Sequence, residues 1–185
     1  MEYEQDLISL IKETPELTSL LEIISTFKLS NWALCAGTIR NLIWSQLSYR
    51  PYSAIKNNID ILYSNSSESY EHLLTTRALI TQKYPNYLWN LQNTALTSTN
   101  GREPHGKDLL TAISTIPENC SAVGVYLENN KLQIIAPYGL KDLFKFEVHP
   151  SPLFMADPKK LQFYRRRMLR KNWPALWPEV LIFDD

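Results

Sequence analysis

Five glycines are spread through 185 residues, at Gly37, Gly101, Gly106, Gly124 and Gly139. Glycine is the residue that turns through left-handed backbone, or approaches a ligand closely, without steric cost. A dinucleotide-binding turn of the G-x-G-x-x-G kind needs three glycines in one short run, and this chain has none. The stretch Gly101-Arg102-Glu103-Pro104-His105-Gly106-Lys107-Asp108 comes near a P-loop but fails at its last position. A P-loop needs a Ser or Thr hydroxyl there for the metal. Asp108 instead sets a carboxylate where phosphate oxygens would lie, and Glu103 adds a second negative charge. The stretch is read as a polar loop, with Asp108 near the start of a short helix.

Hydrophobic spacing supplies the remaining elements. A helix is expected from about Glu4 to Glu13. A second follows Thr14-Pro15-Glu16, a start signal of hydroxyl, proline and acid, with Leu17, Leu20, Leu21 and Ile24 on one face. Trp32–Ala36 reads as a buried strand, and Ile39–Leu47 as a helix after the Gly37-Thr38 break. Ile59, Ile61 and Tyr63 alternate with Asn58, Asp60 and Leu62, a strand of period two. A helix from Ser66 to Lys83, a strand over Tyr87–Gln92 and a short helix over Lys107–Ser114 come next. Ala122–Leu127 and Leu132–Ala136 form a hairpin around Glu128–Lys131. Prolines and Gly139 break up the following stretch, and Lys159–Lys171 is a basic helix with Leu161, Tyr164 and Met168 inward. The expectation is an α/β (α+β) chain with a mixed sheet flanked by helices. It is taken as one domain over 1–185, with N-terminal helices over 1–30, a core over 31–136 and a C-terminal extension over 137–185.

Lys and Arg together number 19, as do Asp and Glu, so no charge excess points to a general nucleic-acid binder. The balance is uneven along the chain: residues 1–28 hold six acids and two bases, residues 156–185 seven bases and four acids. No apolar run is long enough to span a membrane, and the acidic start lacks the basic residues of a secretory leader. A cytoplasmic protein without a membrane partner is expected. Cys35 and Cys120 are too few for a disulfide framework, and His72, His105 and His149 are not spaced for zinc.

Trp32–Asn41, WALCAGTIRN, is the segment with chemistry in it. A strand leading through a glycine turn into a helix presents free backbone N–H groups and the positive end of the helix dipole to a phosphate. Gly37 and Asn41 frame that turn, Thr38 adds a hydroxyl and Arg40 a guanidinium. About 20 residues on, Asn58 and Asp60 share one face of a strand. Two carboxylates so spaced would hold divalent metal for nucleotidyl transfer. By local pattern alone, such a segment more often serves plain α/β packing than phosphate binding.

WALCAGTIRNLIW followed by NNIDILYSN resembles small, largely uncharacterised bacterial proteins of the DNA polymerase beta nucleotidyltransferase superfamily, which read AGxxRNxxW and then DxDxxYFD. The resemblance continues through WNLQNTA, which places Asn93 as a possible site-lining residue. It extends through ENCSAVGVYL, APYGLKDLFKFEVHPSP and YRRRMLRKNWPALWPE. It implies a nucleotidyltransferase-like fold and passes on no particular substrate; a nucleoside triphosphate as partner and Mg²⁺ or Mn²⁺ at Asp60 and Asn58 are the expectations to be weighed.

The departures weaken that implication. The first motif carboxylate falls at Asn58, and the acid ending the block falls at Asn65. The family's Arg, Met and His fall at Leu96, Thr97 and Ser98, and the superfamily's turn serine is Thr38. Between Gly37 and Asn100 the only acids are Asp60, Glu68 and Glu71. One carboxylate has too little charge for two divalent ions, and an amide is a weak ligand beside it. The reading is therefore a nucleotide-binding protein with weakened or lost transferase activity. The alternatives are an active metal-dependent nucleotidyltransferase moving NMP from NTP to a small molecule, RNA or protein, and a non-catalytic interaction module. The 159–171 helix is read first as a solvated face and second as a nucleic-acid or nucleotide contact. Trp173 and Trp177 are read first as core staples.

Overall fold

The structure, a computed structural model, describes residues 1–96 and 108–184. Helices α1 (Glu4–Lys12) and α2 (Pro15–Thr26) bury the apolar stripe Leu7, Ile11, Leu17, Leu20, Leu21 and Ile24. Thr14 stands between them as the sequence predicts. Its hydroxyl, however, donates back to the Leu10 carbonyl at 2.8 Å and closes α1 instead of capping α2.

Strands β1 (Trp32–Cys35), β2 (Asn58–Tyr63), β3 (Leu88–Asn93), β4 (Gly124–Glu128) and β5 (Lys131–Ile135) form one sheet in the order β3-β2-β1-β4-β5. β2 and β3 run parallel, joined through α4 (Tyr70–Lys83), and the other neighbours are antiparallel. This is the expected mixed sheet flanked by helices. Glu128 pairs with Lys131, so the hairpin closes on Asn129 and Asn130 alone, both left-handed at φ 50° and 59°. Asparagine tolerates that region, and the pair matches the tight turn that follows strand twist.

Several boundaries move for identifiable reasons. α3 spans Gly37–Leu47 and begins at the turn glycine, not at Ile39. α4 begins at Tyr70 because Ser69 accepts the His72 N–H at 3.1 Å. Glu68 therefore precedes the helix and is buried, taking hydrogen bonds from the Tyr63 hydroxyl and the Asn93 amide. α5 (Leu109–Ser114) is capped by Asp108, whose carboxylate accepts the Thr111 N–H at 2.8 Å. The P-loop-like stretch 101–107 lies outside the described residues.

The C-terminal part adds α6 (Lys141–Lys145), β6 (Glu147–Val148), α7 (Pro152–Met155), α8 (Pro158–Lys171), α9 (Trp173–Leu176) and β7 (Leu181–Ile182), with β6 and β7 paired in parallel. α8 matches the basic helix. The others run only two to five residues between chain breakers, too short for periodicity to reveal.

Alternation along β2 sorts its side chains onto two faces. Ile59, Ile61 and Tyr63 enter the main core, where Trp44 is fully buried, donates from Nε1 to the Leu143 carbonyl at 2.9 Å and meets Trp173 and Trp177 edge-on. Asn58, Asp60 and Leu62 face the other way, the side on which Ala33 packs against Leu109 and Ile113 of α5. Gly124 permits that approach: a Cβ there would stand 2.6 Å from the Ile113 Cδ1. Among the described residues no helix is long and apolar enough to cross a membrane.

Candidate functional site

β1 delivers the chain to Ala36, whose backbone sits at φ 52°, ψ −122°, a region that strains any side chain. Gly37 follows and opens α3. A Cβ on Gly37 would lie 3.1 Å from Oδ2 of Asp60 and 3.6 Å from a terminal nitrogen of Arg40, so a larger residue would press on the carboxylate and shift it by a few tenths of an ångström. Asp60 and the glycine turn are thus adjacent, with Asn58 one step along the same strand face and exposed.

Asp60 is partly buried, and burial pushes its pKa above the usual carboxylate range. The Asn90 amide, the Arg40 charge and the Gly37 amide pull the other way without prevailing. Asn90 donates from Nδ2 to Asp60 Oδ1 at 2.8 Å and is itself oriented by Gln92, which donates to its carbonyl oxygen at 3.2 Å.

The other sequence-marked residues hold this arrangement in place. Thr38 is fully buried. Its hydroxyl donates to the Asn58 carbonyl at 3.0 Å and accepts the Asp60 N–H at 2.9 Å, tying α3 to β2. Arg40 is buried. It donates to Ser121 Oγ at 2.7 Å and Asn41 Oδ1 at 2.8 Å, and its guanidinium lies 4.1 Å from the centre of the Trp173 ring. Asn41 in turn donates to Asn57 at 2.7 Å. Asn93 is not brought to this place: it points to the opposite face of β3, where it bonds Glu68 and the Asn65 backbone.

α8 forms the far wall. Between it and the β2–β3 face lies a cleft of about 770 Å³, to which Arg40, Lys159, Lys160, Arg167 and Lys171 all contribute. Asp60 is the only carboxylate among the described lining residues. Glu118, which pairs with the lining residue Arg167, is fully buried and does not line the cleft. Burial, and then the neighbouring charges of Arg167 and Arg40, push the Lys171 pKa down, a sign of crowded cations. The donors that flank Asp60 on the strand faces are the neutral amides of Asn58 and Asn90.

Two other groups complete the inventory. Cys35 and Cys120 are buried; burial pushes the Cys120 thiol up to about 12 and raises that of Cys35 as well, so neither is a thiolate near neutral pH. Asp142, Glu147 and His149 bring ligand atoms within 4.8 Å of one another, a carboxylate–histidine cluster outside the cleft lining. His149 there meets Asp142 at 3.0 Å and stacks on Phe183.

Sequence reasoning missed Asn90 and Gln92, though polar side chains at alternate positions of the 88–93 strand are the signal that marks them. It also weighed the α8 charges mainly as a solvated face, because nothing local says against what a helix docks.

A family model described as Nucleotidyltransferase matches residues 22–182. Among solved structures, an NMR structure described as revealing a CCA-adding enzyme head domain is similar at a TM-score of 0.88 and 28% identity, covering 98% of this chain and 96% of that one. A tRNA-processing enzyme in an apo form aligns at a TM-score of 0.49 and 12% identity, with 92% of this chain against 42% of that one. No curated protein matches.

Proposed function

The chain belongs to the nucleotidyltransferase family whose model spans residues 22–182, and we propose that it binds a nucleoside triphosphate in the cleft between β2 and α8 with weakened or lost transferase chemistry. The observation that carries this reading is the charge of the cleft. Among the described lining residues five are cationic and one, Asp60, is a carboxylate; of the five, Arg167 is matched by the buried Glu118, and the strand position before Asp60 on the same face holds Asn58. Such a site attracts a polyphosphate directly, through charged hydrogen bonds and the amides at the start of α3. It does not fit a pair of divalent ions, whose positive charge needs several carboxylates. In this reading Gly37 and Arg40 form the floor beside Asp60, while Thr38 and Asn41 keep that floor rigid.

The likeness to a CCA-adding enzyme head domain supports a second reading, an active enzyme moving a nucleotide from NTP to RNA. Calorimetric titration of NTPs with and without Mg²⁺ or Mn²⁺ separates the two. Binding that persists without metal, with no turnover, is the expected result. Tight binding only with metal, accompanied by nucleotide transfer that Asp60→Asn abolishes, would overturn the proposal in favour of the enzyme. Absence of binding under either condition would leave an interaction module.

A further inference from the structure

The face that α8 turns to the cleft is not uniformly charged. Lys160, Phe163, Arg167 and Lys171 follow one another at intervals of three and four residues, which places them on one side of the helix. Lys159 stands beside the first of them. Phe163 is 47% exposed although its neighbours one turn to either side are cations. Its ring lies 6.1 Å from that of Phe154 on α7, tilted by 45°. Phe154 and Phe163 both line the cleft, and no other described lining residue is aromatic. The cleft therefore has an aromatic patch, Phe154 with Phe163, flanked by Lys159 and Lys160 at the start of α8, and a second cationic stretch where Arg167 and Lys171 approach Arg40 and Asp60. From Phe163 to Lys171 the helix rises about 12 Å, room for a sugar and a run of phosphates between the patch and that stretch.

An open aromatic face beside concentrated positive charge is matched by a ligand that is flat and apolar at one end and polyanionic at the other. Building on the nucleotide-binding reading, we propose that Phe163, backed by Phe154, is the surface on which the base of the bound nucleotide stacks, with its phosphates running past Arg167 and Lys171 toward Arg40 and the start of α3. Every base has a π face, so this platform confers affinity with little choice among bases. It also fixes the direction in which the phosphates enter the cleft.

The test compares ATP with inorganic triphosphate, which carries the charge but no base. Both are titrated calorimetrically against the wild type, Phe163→Ala and Phe163→Trp, with circular dichroism and thermal melting to confirm folding. Because Phe163 is half exposed, its replacement leaves the core untouched. Phe163→Ala should weaken ATP roughly tenfold or more, the range of base–aromatic stacking, and leave inorganic triphosphate within about twofold. Phe163→Trp should retain ATP affinity. Undiminished ATP binding in Phe163→Ala, or an equal loss for both ligands, overturns the stacking role. Wild-type binding of triphosphate but not of ATP overturns it too, while leaving the phosphate site standing. Failure of the wild type to bind either ligand removes this proposal and the nucleotide-binding reading together.

Discussion

Asn58→Asp restores a carboxylate next to Asp60 and measures how much the missing charge matters. Asn58 is exposed, so water screens the new group and ε of about 80 is the fitting choice. A carboxylate about 3.5 Å from a doubly charged ion then gains about 2.4 kcal/mol over a neutral amide. Repulsion between the two carboxylates is the same with and without the ion and cancels from the affinity. The gain of about 2.4 kcal/mol corresponds to roughly 50-fold tighter metal binding. Calorimetric titration of Mn²⁺ at low salt reads this directly, with Asp60→Asn added to the variant as the control that should cancel the gain. Mn²⁺ affinity unchanged within about threefold, in a variant that melts like the wild type, refutes the argument that charge deficiency limits this site.

Glu118→Gln breaks a pair in which the acid is fully buried and Arg167 is mostly so; a loss of about 3 kcal/mol is expected, seen as a fall of roughly 6–12 °C in the thermal midpoint, and an unchanged midpoint would count against the pair. Ala36→Gly relieves the positive φ at the turn before α3 and should raise unfolding free energy by about 1 kcal/mol in urea titrations; a loss would mean the turn is not strained. Asp60 has a raised folded-state pKa, so its contribution to stability is present below the unfolded value and is lost as pH rises through the folded one. Asp60→Asn should therefore match the wild type near pH 3 and become the more stable of the two toward pH 7, where only the wild type bears a buried charge; urea midpoints across that range check it, and a constant difference would deny the shift.

The parts of the molecule legible in the sequence are those whose physics is local. The glycine turn, the alternation around Asp60 and the inward stripe of α8 each repeat within a few residues, and the structure has them where the pattern puts them. Arg40 shows where local reasoning ends. It reads as a guanidinium free at a helix start, yet its partner Ser121 stands 81 residues away and its stacking surface, Trp173, further still. Glu68 likewise reads as a first-turn helix acid, but the Tyr63 hydroxyl and Asn93 draw it into the core ahead of a helix that Ser69 starts later. α8 carried its charges in plain view, but only docking beside α7 turned them from a solvated surface into a wall.

The strand order β3-β2-β1-β4-β5 has a consequence for a chain leaving a ribosome. β1, β2 and β3 emerge first, and they can pair with one another at once. The far edge of β1 has no neighbour until β4 has been made, and Arg40 has neither Ser121 nor Trp173 to receive it. For that interval the nascent sheet offers an apolar strand with free backbone groups beside an unmatched cation, the kind of edge that recruits a second chain. The strand order thus separates the two halves in time: all the strands of the half that carries Asp60 are made before the half that walls it in, and that half alone leaves one sheet edge unpaired.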